Sequence, residues 1–226
     1  MGKTDPVRCM AAAIMLVPLA GCGRERLREA AGPLHLPRVL IIGDSISVGY
    51  FEPTRQLLQG RAEVHHNPGN AAHTANGLAK LDEWLGDTRW DVIHFNHGLH
   101  DLKYMDESGD LTETAAGTQQ IPIDEYARNL DELTKRLKKT GSTLIFATTT
   151  PVPEGSLGRV QADAKRYNEA ALKVMEKHRV RINDLYAFAL PRLDSIQQPH
   201  NVHFTEEGSR LLAEQVAASI LDAIEK

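Results

Sequence analysis

The chain has 226 residues, 42% hydrophobic and 25% charged, with a formal net charge of −4. That length and balance suit one α/β domain, and a mildly acidic chain with no large basic block gives no footing for a nucleic-acid partner. Its two cysteines, Cys9 and Cys22, both fall in the first 22 residues, so the rest of the chain has no thiolate metal site and no cysteine nucleophile.

Residues 1–22 have the pattern of an export segment. Lys3 and Arg8 make a positive start, and Met10 to Ala20 is an apolar run too short to span a bilayer. The run ends Leu19-Ala20-Gly21-Cys22, which resembles the bacterial lipoprotein signal. The resemblance implies lipidation at Cys22 and a protein held at the cell envelope, touching the membrane only through its lipid anchor. Residues 23–37 are then a tether, and residues 38–226 form the folded domain. No segment after residue 22 is apolar for long enough to cross a bilayer.

From residue 38 strands and helices alternate. Residues 38–43 form a buried strand, since Val39-Leu40-Ile41-Ile42 is apolar and largely β-branched. A helix is predicted over 45–59, with Pro53 as a kink or break. A short strand over 62–67 and a turn at Asn67-Pro68-Gly69-Asn70 lead to a helix over 74–85, where Leu78, Leu81, Trp84 and Leu85 share a face. Residues 90–96 form a third strand, and a long polar loop over 98–120 is predicted to be a lid or mobile segment. An amphipathic helix over 123–139, a strand over 142–148, a helix over 160–178 and a short strand over 180–182 follow. A short helix or turn spans 184–193. The last helix, over 205–224, has Thr205 as its cap and Glu206 and Glu207 in its first turn. Five strands alternating with helices imply a three-layer α/β/α fold around a five-stranded parallel sheet, with the site beyond the strands' carboxyl ends.

Ser45 lies at the first strand-to-helix turn, where a side chain faces the cleft and the backbone N–H of a first helical turn is free to hold an anion. A serine in that position also reads as a helix cap. Ser47 stands where the Gly-x-Ser-x-Gly elbow has its second glycine, so the turn is not that motif. His203, just before the last helix, can take a proton from the Ser45 hydroxyl, the activation a weak nucleophile needs near neutral pH. It also reads as a polar loop residue.

Three segments, in order, resemble the SGNH/GDSL hydrolase family: Gly43-Asp44-Ser45-Ile46, Gly98-Leu99-His100-Asp101, and Val202-His203-Phe204-Thr205 followed by Gly208. The resemblance covers residues 38–226 and implies the flavodoxin-like SGNH fold, a Ser45 nucleophile and a His203 base. It places Ala72 at the family's second-block glycine, whose backbone N–H holds the oxyanion, and His100 at the asparagine that joins it. Asn70 is the nearest side-chain donor, and Asn96, Gly98 and Asn201 are further pocket residues. The family's acid usually lies three residues before the histidine. That position is His200 here, and Asn201 follows it, so the sequence offers a Ser45–His203 dyad oriented by His200 or Asn201. Asp44 and Asp101 are assigned to turn stabilisation, and His94 to the core.

The resemblance implies an esterase that needs no cofactor and acts on a small-molecule or carbohydrate acyl ester, an O-acetyl group among them. Two other classes fit parts of the pattern. The missing carboxylate suits a catalytically silent, glycan-binding envelope lipoprotein. His94, His97, His100, Asp101, His200 and His203 hold enough ligand atoms for a metal, although the alternating faces of a strand keep His94, His97 and His100 from converging.

Overall fold

In the computed structural model residues 1–2 and 35–226 are described, and the export segment, Cys22 and most of the tether lie outside them. The chain divides into two units, residues 1–35 and 36–226, and the second holds the sheet and its flanking helices. Strand β1 (Arg38–Ile42) is an inner strand of a five-stranded parallel sheet and is buried along nearly its whole length. It pairs with β2 (Glu63–His66) on one side and β3 (Val92–Phe95) on the other. β6 (Thr143–Ala147) and β7 (Arg181–Asn183) continue beyond β3. The resulting order, β2-β1-β3-β6-β7, is flavodoxin-like, with its switch point between β1 and β3, where a crevice opens beyond the strand ends.

Helices cover both faces, which is why the central strands carry unbroken apolar runs. α1 (Ser45–Leu57) packs against α7 (Glu206–Ile224), while α2 (Thr74–Leu85), α3 (Ile123–Lys138) and α4 (Asp163–His178) pack in succession. α1 and α7 meet closely at Gly49, where a Cβ would lie 3.1 Å from Ser209 Oγ. α1 continues through Pro53 to Leu57. Asp44 caps it by accepting from the Ile46 N–H at 2.9 Å. Among the described residues no helix is long and apolar enough to cross a membrane.

Two segments differ from the expected pattern. The loop after β3 folds into an antiparallel ribbon, β4 (Tyr104–Met105) against β5 (Thr118–Gln119), and this ribbon is docked on the loop after β6 through Tyr104 N–H to Gly158 O at 2.8 Å. Residues 184–193 begin a broken run of short helices, α5 (Leu185–Ala189), a 3-10 turn at Leu190–Arg192 and α6 (Leu193–Ile196), which leads into the segment bearing His203.

Candidate active site

Four loops meet beyond the strand ends. The turn after β1 is fixed from below, where the Gly43 N–H donates to Asn67 Oδ1 at 2.8 Å and the Ala71 N–H to Gly43 O at 2.9 Å. Ser45 is the first residue of α1, so its backbone N–H has no intrahelical acceptor. Asp44 is buried, which raises its carboxyl above the usual range, and one of its oxygens has no hydrogen-bond partner.

His203 arrives from the other end of the chain on a clamped loop. Gln197 Nε2 donates to Pro151 O at 3.0 Å and to Val202 O at 2.9 Å, and the Gln198 N–H donates to His203 O at 2.9 Å. Thr205 caps α7 and also bonds Ile196 O. Gly208 makes this close approach possible, since a Cβ there would lie 2.1 Å from Ile196 O. His203 Nε2 lies 2.9 Å from Ser45 Oγ. Its Nδ1 lies 2.7 Å from Asn201 Oδ1, which also accepts the His203 backbone N–H at 3.0 Å. Asn201 Nδ2 reaches Gln198 Oε1 at 3.3 Å. The amide therefore points its oxygen at the imidazole. Nδ1 carries the proton, and the Nε2 lone pair faces the Ser45 hydroxyl.

Residues 41–211 match the model of the GDSL-like lipase/acylhydrolase family. The chain belongs to that family. A GDSL esterase/lipase of Arabidopsis thaliana is 23% identical over 158 residues, 62% of this chain and 59% of that protein. The chain thus spans about 59% of the length of that curated relative. A lipase/acylhydrolase from Enterococcus faecalis superposes with a TM-score of 0.68 at 18% identity, over 83% of this chain and 96% of that one. An acetyl xylan esterase variant from Geobacillus stearothermophilus gives 0.66 at 17% identity, over 82% and 95% of the two chains. These structural likenesses establish a shared fold.

Relative to the family's pattern, His200 does not serve His203. Its backbone is left-handed (φ 55°), and its ring Nδ1 donates to Glu154 O at 2.8 Å. Asn201 occupies the orienting position instead. On the oxyanion side Ala72 adopts φ 53°, a left-handed conformation that glycine takes without strain. Its N–H donates to Asn70 Oδ1 at 2.8 Å, so Asn70 meets Ala72 as an acceptor. This bond ties up the N–H expected to face an oxyanion. The Ser45 N–H remains free, and the ring nitrogens of His100, the residue at the family's asparagine position, make no hydrogen bond among the described residues. Burial, helped by the positive charges of Lys103 and Arg159, lowers His100 to about 3, so the ring is neutral and keeps one N–H to donate.

Gly98 leaves β3 at φ 152°, and a Cβ would lie 1.9 Å from Thr149 Oγ1. Thr149 in turn bonds His97 O at 3.1 Å, and its own backbone is held from both sides by the Asn168 amide at 2.8 Å. Asn96 Nδ2 donates to Ala147 O at 2.8 Å, joining the ends of β3 and β6. Asp101 Oδ1 takes the Thr74 N–H at 2.9 Å and the Thr74 hydroxyl at 2.5 Å, anchoring the start of α2. His94 within β3 and His97 after it point to different partners: His94 Nε2 accepts from Asn183, and His97 Nδ1 donates to Ala72 O. Two supports have no sequence signature. Thr149 and Asn168 act through a contact between distant segments. Ser47 is buried, with its hydroxyl 2.7 Å from both Asp44 O and His66 Nε2.

The buried histidines give a pH prediction. Burial lowers His94 and His97 from 6.5 to about 4, and His100 falls to about 3. Between about pH 6.5 and pH 4 the unfolded chain binds protons that the folded chain refuses, so these groups withdraw stability as pH falls. His66 and His73, also lowered by burial, act the same way, while Asp101, raised from 3.8 to about 7 by burial, and Asp44, likewise raised by burial, work in the opposite direction. With five groups against two, the urea midpoint is expected to be lower at about pH 4.5 than at about pH 7. Equal midpoints would contradict the neutral burial of these rings.

Proposed function

We propose that the chain is a serine ester hydrolase acting on short acyl esters, with O-acetylated carbohydrate as the favoured substrate class. The observation that carries the reading is the relay Ser45 Oγ to His203 Nε2 (2.9 Å) and His203 Nδ1 to Asn201 Oδ1 (2.7 Å). In the proposed reaction Ser45 Oγ bonds the acyl carbon as its proton passes to Nε2, and the imidazolium keeps its Nδ1–H on Asn201. The developing oxyanion faces the Ser45 N–H and the His100 ring N–H. Collapse expels the alcohol, which takes the proton from Nε2, and water then cleaves the acyl-serine by the same relay. The match to the GDSL-like lipase/acylhydrolase family supports the ester chemistry, and the fold shared with an acetyl xylan esterase supports the acetyl group.

A hydrolysis screen with acetyl, butyryl and longer acyl esters, together with acetylated oligosaccharides, tests this. Turnover is expected on the acetyl members, falling as the chain lengthens. No turnover on any ester would contradict it. That outcome would favour a silent glycan-binding protein, a reading supported by the occupied Ala72 N–H and by the absence, among the described residues, of a carboxylate hydrogen-bonded to His203. The resemblance of Leu19-Ala20-Gly21-Cys22 to a lipoprotein signal supports placement at a bacterial envelope through a lipid on Cys22.

A further inference from the structure

Two cations border the site without a carboxylate at ion-pair distance among the described residues. Arg159, in the loop after β6, is largely buried and uses two of its N–H groups on backbone carbonyls, Nε on Leu99 O and Nη1 on Leu157 O, each at 3.3 Å. Lys103, after β3, is half-buried, and its ammonium makes no hydrogen bond. Among the described residues neither forms an ion pair with a carboxylate. The backbone sets them side by side, because the Tyr104 N–H bonded to Gly158 O joins the residue after Lys103 to the residue before Arg159. Gly158 (φ 63°) lets the ribbon's loop seat here, since a Cβ would lie 2.8 Å from Thr112 O. The pair acts electrostatically on the reaction centre: Arg159 on Asp44, beside the nucleophile, and both cations on His100. Arg159 also disfavours the charge on Lys103.

Partly burying two like charges with no carboxylate in direct contact is costly, and a ligand anion would relieve that cost. Arg159 retains three of its five donors in a planar fork that fits a carboxylate, and Lys103 adds a point charge beside it. We propose that Arg159 and Lys103 form a subsite for a carboxylate carried by the ester substrate. This rests on the ester-hydrolase reading and deepens it. The carboxylate belongs either to the alcohol part, as in an acidic sugar, or to the acyl part, as in a dicarboxylic half-ester.

Matched substrate pairs test the proposal and separate the two sources. Acetylated methyl glucuronoside against acetylated methyl glucoside reads the alcohol side, and 4-nitrophenyl hemisuccinate against 4-nitrophenyl butyrate reads the acyl side. In at least one pair the charged member is expected to be favoured about tenfold or more in kcat/KM at low salt, with the preference falling as salt is raised. Lys103→Gln and Arg159→Gln should each cut that preference several-fold through KM, and Arg159→Lys should keep part of it. Equal handling of both members in both pairs overturns the proposal. So does a preference that survives both glutamine variants, or an Arg159→Gln effect that lowers kcat equally on charged and neutral esters. If Arg159→Gln does not fold, the wild-type pairs and Lys103→Gln decide. If no ester is hydrolysed, the ester-hydrolase reading fails on its own and binding still decides the subsite. Sodium glucuronate should then raise the melting temperature of the protein, and glucose at equal concentration and ionic strength should not. An equal shift, or none, overturns it.

Discussion

Ser45→Ala is expected to lower kcat on any ester the protein hydrolyses by roughly 10⁴-fold or more, with the fold intact. The expectation is large because Ser45 supplies the only bond to the acyl carbon in the proposed reaction. Its Oγ is also the only hydrogen-bonding partner of His203 Nε2 among the described residues. Ser47, two residues on, has its own histidine contact at 2.7 Å, yet it is buried and its hydroxyl also lies against Asp44 O. It is therefore no substitute for the partly accessible Ser45. The measurement is steady-state hydrolysis of an acetyl ester, with circular dichroism as the fold control. Activity within a few-fold of wild type would remove Ser45 from the mechanism.

Asn201 carries the second large effect. An acid-to-amide change in a serine protease costs about 10⁴ in turnover because the amide leaves the histidine in the wrong tautomer. Here the amide is not free to turn its nitrogen toward the ring. Its oxygen accepts two donors from His203, at 2.7 and 3.0 Å, and its nitrogen faces Gln198 Oε1. The neutral amide thus supplies the orienting half of an acid's work without the charge that stabilises an imidazolium. Asn201→Ala is expected to cost on the order of 10²-fold in kcat, and Asn201→Asp to raise kcat by up to about tenfold. Kinetics on one acetyl ester for all three proteins checks both signs. An alanine variant as active as wild type would show that the contact does no orienting.

The sheet and the order of its elements are legible in the chain because they rest on local signals, whereas the pairing of Ser45 with His203 is what the family resemblance of their segments implies. Val39 to Ile42 can only be a buried strand, and Thr205-Glu206-Glu207 marks a helix start whatever surrounds it. The bounds of α2 follow from the same kind of signal, with Leu78, Leu81, Trp84 and Leu85 at helical spacing. What escapes the sequence is set by contacts between distant segments. Strands of two residues carry no periodicity, so residues 98–120 look like a lid although tertiary contacts seat them as a ribbon on Gly158. The choice between His200 and Asn201 depends on one backbone angle, since φ 55° at His200 sends its ring to Glu154 O. Asn70 looks like a free donor until the left-handed turn at Ala72 brings that N–H onto its oxygen. Arg159 carries no signal in the sequence and becomes conspicuous only when the two loops join.

The most direct test is covalent. The wild-type protein is treated with a fluorophosphonate, digested, and the modified peptide identified by mass spectrometry. One adduct on Ser45 is predicted, with labelling slowed strongly in His203→Ala. An unlabelled protein, or an adduct on Ser47 or any other serine, would contradict the claim that the His203 imidazole activates the Ser45 hydroxyl.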